Sequence, residues 1–363
     1  MGSEASPLAM RRQRLAERLA RRNLDGCVLV PGPNLRYFTG LEVESGERPF
    51  LLVLGLGGHD LAVVPYFEAE RVRQALPGCR LITYRDEAGP EPAVARAFGA
   101  MGLRPLHLGA EFGTMRLMER AVIEGSVPKA RWHPVDADAY GLRQCKDAQE
   151  VESIRRASAV AGEAMAEGLG VVRAGVSEAE VAQRCLAVLA SHGTVSPFGV
   201  MVASGPRSAD PHATTSGRQL QEGDLVWIDL GARVEGYVAD ITRTVAVGEV
   251  RPELRSALDA AAAAQRAAIE AARPGRTAGE VDHAARGVMN AAGLGAYFTH
   301  RTGHGLGLEV HEPPFIVDGS VEPLQPGMIF TVEPGAYLPG EGGARIEDDV
   351  LVTADGLVVL TQR

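Results

Sequence analysis

At 363 residues the chain is long enough for two domains of about 150 residues each. Its 45% hydrophobic and 23% charged side chains belong to an ordinary folded protein and exclude collagen, coiled coil and wholesale disorder. Thirty-seven basic against 46 acidic residues leave a net charge of −9, which sets nucleic-acid binding aside as a main role.

The first six residues, Met1-Gly2-Ser3-Glu4-Ala5-Ser6, fit a myristoylation pattern formally, but so short a pattern arises by chance, and a leader outside the fold is expected. Residues 8–22 form a basic amphipathic segment with Leu15 and Leu19 four apart, which predicts a helix. Short apolar runs follow at 26–31, 50–54, 61–65, 80–84 and 106–110 and read as strands, with Gly57-Gly58-His59-Asp60 as a hairpin loop between two of them. Helical stretches at 66–76, 92–101 and 114–124 fall between others, so the first domain is expected to be α/β and to span residues 1–136. No catalytic constellation stands in it. No stretch approaches the roughly 18 uninterrupted apolar residues of a membrane span. The four cysteines are scattered without a Cys-x-x-Cys pair, which predicts inert thiols in a reducing cytoplasm.

The second domain, residues 137–363, opens with a long helix over 147–169. An internal repeat follows. Arg173-Ala174-Gly175-Val176-Ser177-Glu178-Ala179-Glu180-Val181 recurs one hundred residues later as Arg273-Pro274-Gly275-Arg276-Thr277-Ala278-Gly279-Glu280-Val281. Each copy carries a capping box, Ser177 with Glu180 and Thr277 with Glu280, and each helix should stop at a glycine, Gly193 or Gly293. Two related halves about a pseudo-twofold axis, with a cleft between them, are therefore expected.

Leu225-Val226-Trp227-Ile228-Asp229-Leu230-Gly231 reads as a buried strand, and a second over 237–247 carries Asp240. A tight turn at Val234-Glu235 or Glu235-Gly236 pairs them, and in either register the period of two puts Asp229 and Asp240 on one face. Adjacent carboxylates in an apolar sheet repel and are costly to desolvate, and a bound cation removes both penalties. Solvent-facing or Arg-paired aspartates remain the alternative at this point. Further on, His300, His304 and His311 fall within twelve residues that also hold Gly303, Gly305 and Gly307. The glycines argue against a helical His-x-x-x-His zinc pair; in an extended chain His300, Thr302 and His304 would share a face. Glu333 ends an apolar strand, and Glu347 precedes another, where it could simply pair with Arg345. Asp229, Asp240, Glu333 and Glu347 with His304 make a set too rich in carboxylate for one zinc ion. The set suits two divalent ions about 3.5–4 Å apart. Ligand hardness favours manganese, with cobalt, iron or zinc able to substitute.

These residues resemble the pita-bread metallopeptidases. The resemblance rests on Asp229-Leu230-Gly231, Asp240-Ile241-Thr242-Arg243-Thr244, His300-Arg301-Thr302-Gly303-His304-Gly305-Leu306-Gly307, His311-Glu312-Pro313, Glu333-Pro334-Gly335 and Arg345-Ile346-Glu347-Asp348-Asp349. Asn34-Leu35-Arg36-Tyr37-Phe38-Thr39-Gly40 makes the first domain similar to the creatinase-like domain that precedes the catalytic one in proline-specific members, and that methionine aminopeptidases usually lack. The resemblance implies a creatinase-like α/β domain followed by an α+β pita-bread domain with an internal pseudo-twofold repeat. Asp229 would chelate one metal, Asp240 and Glu347 would bridge, and His304 and Glu333 would complete the other. Glu333 would also take a proton from the attacking water, His311 would meet the scissile carbonyl, His212 and His300 would line the substrate site, and Arg345 matches a family arginine.

The activity so implied is hydrolysis of the Xaa-Pro bond, foremost in dipeptides as a prolidase, with an aminopeptidase P acting on longer peptides as the alternative. Arg36, Arg48 or a group of a partner subunit would close the cleft on the dipeptide carboxylate. A non-catalytic binding module would be expected to have lost ligands, and a creatinase-like amidinohydrolase would lack this set. Neither describes a chain that keeps all five. The resemblance further implies a homodimer. A cytoplasmic location without nucleic-acid or membrane partners is expected from the scattered thiols, the acidic balance and the lack of a long apolar run.

Overall fold

The computed structural model describes residues 6–55, 59–99 and 105–361. Gly57 and Gly58 of the expected hairpin loop, and Met1 to Ala5 of the expected leader, lie outside the described residues. The chain forms two compact units, Met1–Arg143 and Gln144–Arg363. Among the described residues no helix is long and apolar enough to cross a membrane.

The first unit alternates helix and strand: α1 (Pro7–Arg21), β1 (Gly26–Leu29), α2 (Pro33–Thr39), β2 (Leu51–Leu54), β3 (Leu61–Pro65), α3 (Ala69–Ala75), β4 (Arg80–Tyr84), α4 (Glu91–Gly99), β5 (His107–Ala110), α5 (Leu117–Ser126), β6 (Arg131–Pro134) and α6 (Asp136–Arg143). The strands make one mixed sheet in the order β4-β3-β2-β1-β5-β6, with β2 antiparallel to both its neighbours. The continuous apolar runs of β1, β2 and β3 reflect burial on both faces, while the edge strands β4 and β6 are partly exposed. Val28, Val53 and Val63 join Val94, Phe98 and Ile123 of α4 and α5 in one apolar cluster, while Leu15 and Leu19 bury the apolar stripe of α1. The sequence reading left α2, β6 and α6 unassigned; the 136/137 division falls within α6, which closes the first unit at Arg143.

The second unit comprises α7 (Ala148–Gly170), α8 (Glu178–Ser191), β7 (Met201–Ser204), β8 (Leu225–Val234), β9 (Tyr237–Ala246), α9 (Pro252–Ala271), α10 (Ala278–Ala291), β10 (Gly303–Gly305), β11 (Glu312–Ile316), β12 (Ile329–Val332), β13 (Gly335–Leu338), β14 (Gly342–Arg345), β15 (Asp348–Thr353) and β16 (Gly356–Val359). The repeat is present in the backbone. Both capping boxes form, both short helices run 14 residues, and the glycines that follow them, Gly193 and Gly293, adopt φ of 68° and 72°. The amides of Gly175 and Gly275 donate to Leu220 and Leu324 at 2.9 and 2.8 Å, and those two residues return bonds to Val176 and Arg276, each at 2.8 Å. Each half thus lays a helix pair on its own strands: α7 and α8 on β7–β9, α9 and α10 on the apolar face built by β12 and β15. This is an α/β domain followed by an α+β domain with an internal repeat, the architecture that the sequence implies. Of the four thiols, none of them bridged, Cys27 and Cys185 are buried and Cys145 is exposed, so inertness by burial does not extend to all.

One buried group makes the first unit sensitive to pH. Glu111 is only 1% exposed, and one oxygen accepts from Asn34 Nδ2 at 2.7 Å while the other has no partner. Burial, outweighing the Asn34 bond, pushes its carboxyl up to about 7. The folded state therefore holds this proton more tightly than the unfolded chain. The stability tied to it is fully present below the ordinary value of 4.5 and is lost as pH rises through about 7. Glu111→Gln, which keeps the Asn34 contact without a charge, should stabilise the protein by on the order of 2–3 kcal/mol at about pH 8 and by nearly nothing at about pH 4.5. Thermal melts of both proteins at the two pH values check the expectation; equal gains would contradict it.

Candidate metal centre

The first two carboxylates come from the β8–β9 hairpin. Val234 pairs with Tyr237, so the two-residue loop is Glu235-Gly236, both at positive φ (51° and 84°), as the right-handed twist of a tight hairpin requires. In this register Asp229 faces Thr242 and Asp240 faces Gly231, which puts both carboxylates on one face of a hairpin whose middle is buried throughout. His304 lies on β10, next to β12, and Glu333 directly follows β12, its amide bonded to the Thr302 carbonyl at 2.8 Å. Glu347 sits between β14 and β15, and its amide reaches across to the Thr242 carbonyl of β9 at 3.1 Å. Strands from both halves of the repeat thus deliver the five side chains to one place.

They line a cavity of about 620 Å³ together with Phe198, Met201, Pro211, His212, His300, Arg301, Val310, His311 and Arg345. The nine residues singled out as ligands or catalytic groups, Asp229, Asp240, His304, Glu333, Glu347, His212, His300, His311 and Arg345, are brought together there. Arg36 and Arg48, considered for closing the cleft, are not among its lining; Arg36 pairs with Glu42, and Arg48 with Glu47 and Asp86. The ligand atoms of Asp240, His304 and Glu347 lie within 4.8 Å of one another. Asp229 and Glu333 stand beside them: Asp229 Oδ2 accepts from Arg345 Nη2 at 2.5 Å, and Glu333 Oε1 lies 3.2 Å from His304 Nε2. Arg345 is buried at 4% exposure and pairs with Asp229, so the surface pairing of Arg345 with Glu347 weighed from the sequence does not occur. Thr302 turns away from the cavity. It is fully buried, and its amide and hydroxyl both donate to Asp282 of α10. His212 and His311 stay exposed at the edge.

The electrostatics of this cluster call for a cation. Burial, then the neighbouring carboxylates, push Asp240 and Glu347 well above the usual carboxylate range. Burial raises Asp229 as well, against the lowering effect of Arg345. Glu333 is held down at about 2, because its bond to His304 and the nearby cationic groups outweigh its burial. Asp229 Oδ1 and Asp240 Oδ1 are buried with no hydrogen-bond partner. His304 Nδ1 lies 3.1 Å from the Gly305 carbonyl and must donate to it. The bond that holds Glu333 down therefore needs a second ring proton at Nε2, and without one the Nε2 lone pair would oppose the carboxylate. A proton or a metal ion between them removes that opposition. The orphaned oxygens and the oxygen-rich donor set fit divalent cations.

Three supporting groups were not singled out from the sequence. Tyr337 OH contacts His300 Nε2 at 3.0 Å and accepts from Arg345 Nη1 at 2.8 Å. Thr242 Oγ1 donates to Glu347 Oε2 at 2.6 Å, and Thr331 Oγ1 donates to Glu333 Oε1 at 3.1 Å while accepting from the His304 amide. The period of two from Asp240 would have found Thr242; no local pattern points to Tyr337.

Residues 152–354 match the model of metallopeptidase family M24, and residues 11–145 match the creatinase/prolidase N-terminal domain. A probable dipeptidase PepE of Mycobacterium bovis is 38% identical, the similarity covering 99% of this chain and 96% of that protein. The structure of a prolidase from Thermococcus sibiricus superposes with a TM-score of 0.91 at 31% identity, covering 99% of this chain and 98% of its own. That of an Xaa-Pro dipeptidase from Bacillus anthracis gives 0.89 at 31% identity, covering 98% of each chain. The match runs the length of both units and is not confined to the ligand motifs, and we conclude that this chain belongs to metallopeptidase family M24.

Proposed function

We propose that the enzyme is a dinuclear metallopeptidase that hydrolyses the Xaa-Pro bond of dipeptides. The observation that carries the metal part is the convergence of Asp229, Asp240, His304, Glu333 and Glu347 on one cavity, with two buried aspartate oxygens unpartnered. Asp229, Asp240 and Glu347 would hold one ion, and Asp240, Glu347, His304 and Glu333 the other. When bound, such ions supply Lewis acidity: they polarise the scissile carbonyl and lower the pKa of the attacking water. The hardness of the ligands favours manganese.

The side chains do the rest. Glu333, ionised at neutral pH, accepts the proton of the attacking water and passes it to the departing proline nitrogen as the carbon–nitrogen bond breaks. His311 is kept neutral, its imidazole pushed down to about 4 by partial burial and by His304 and Arg301, and its N–H can donate to the developing oxyanion. Arg345 holds Asp229, and through Tyr337 it steadies His300. Phe198, Met201 and Val310 give the cavity an apolar wall against which a proline ring or an apolar neighbour can pack. The Arg301 guanidinium, over the Phe315 ring at 4.5 Å, puts a cation in the cavity lining that suits the carboxylate end of a short substrate. The names of the relatives, dipeptidase and prolidase, support the same choice. A homodimer belongs to this reading by family resemblance, and a cytoplasmic location by the scattered cysteines.

Turnover of Ala-Pro should exceed that of Ala-Pro-Ala at equal concentration; faster release of alanine from the tripeptide would favour aminopeptidase P instead. Asp240→Ala removes a ligand common to both ions. We expect metal content to drop and activity to fall by about three orders of magnitude, as read by elemental analysis and dipeptide hydrolysis. His311→Ala should keep its metal while kcat falls about 100-fold, the scale of losing one oxyanion donor. Unchanged turnover would reject that role.

A further inference from the structure

Lys146 and Glu312 form an ion pair, Nζ to Oε1 at 2.9 Å, with both side chains only 1% exposed. Lys146 stands just before the capping residue of α7, far along the chain from the metal-ligand motifs, and its ammonium also donates to the Gln144 carbonyl at 3.3 Å. Glu312 opens β11, opposite Gly305 of β10, and directly follows His311. Successive side chains of an extended segment point to opposite sides. Glu312 accordingly points into the interior at 1% exposure, while His311 points into the cavity, its ring edge-on to His304 with centroids 4.1 Å apart. The carboxylate packs close against Gly307, where an added Cβ would lie 2.7 Å from Glu312 Oε1.

We propose that Lys146 is a positioning residue for the hydrolysis, its buried ion pair with Glu312 fixing the adjacent His311 imidazole against His304. A buried pair of this kind adds little net stability over apolar replacements, yet removing one partner strands a charge away from water. Without the ammonium, Glu312 loses the buried counter-charge 2.9 Å from its carboxylate, and a shift of that carboxylate moves the peptide that carries His311. The inference rests on the proposed function, because it takes His311 as the group that meets the scissile carbonyl.

A double-mutant cycle on the full chain, loaded with manganese and assayed on Ala-Pro, tests it. Lys146→Met should lower kcat about tenfold or more, with KM within about twofold and metal content unchanged. In a His311→Ala background the same change should lower kcat by less than about twofold, because the group it positions is gone. In the zinc-loaded, diamagnetic protein the Cε1–H resonance of His311, identified by its loss in His311→Ala, should shift or broaden in Lys146→Met. Multiplicative losses, an unchanged kcat, an unmoved resonance or a loss that follows metal content would each overturn the proposal. If Lys146→Met does not fold, Glu312→Gln, which keeps the shape and leaves the ammonium a polar partner, carries the same cycle with the same outcomes. Full turnover in His311→Ala alone would overturn the proposed function, and this inference with it.

Discussion

Like-charge repulsion among buried carboxylates is the constraint on which the second unit turns. Asp229, Asp240, Glu333 and Glu347 line one cavity, and the cationic side chains among its lining residues are Arg301 and Arg345. Each buried carboxylate without a counter-charge costs several kcal/mol. The cluster persists because strands from both halves over-determine where each group sits, and because divalent cations would turn the repulsion into ligation. An apolar core has no use for such an arrangement; a hydrolytic site does.

The duplicated scaffold explains why the cluster can be built at all. Each half lays a capped pair of helices against its own strands, with matching backbone bonds at Gly175 and Gly275, and this leaves the sheet faces opposite the helices free to meet. One half brings the two aspartates on a hairpin, and the other brings the histidine and the two glutamates. Around them runs a layer of bonds that orients the ligands: Thr242 to Glu347, Thr331 to Glu333, Arg345 to Asp229, and the Asp240 amide to Asp349 at 3.0 Å. Such outer partners set ligand direction as much as the ligands themselves do.

Much of this was legible in the chain as written, where the information is local. A period of two places Asp229 and Asp240 on one face whichever hairpin loop forms, and the capping boxes mark both helix starts and reveal the repeat. Glycines around His304 rule out a helical pair. The local patterns failed where structure depends on distant partners. Thr302 was expected beside His304 by alternation, but its amide and hydroxyl donate to the Asp282 carboxylate instead. The helix at Pro33–Thr39 and the strand at Arg131–Pro134 lack a clean period; the first is only seven residues long and the second pairs solely with β5.

The order of residues by itself determined the α/β-then-repeat architecture, the residue types of the ligand set and the family, because these follow from short-range periodicity and from motifs with fixed spacing. Folding in three dimensions decided the rest. It set Arg345 against Asp229 where Glu347 was the near neighbour in sequence, brought Tyr337 to His300, and joined Lys146 to Glu312 across more than half of the second unit. Those choices depend on which oppositely charged or hydrogen-bonding groups arrive together out of reach of water, and burial is a property of the packed chain that no local stretch of it encodes.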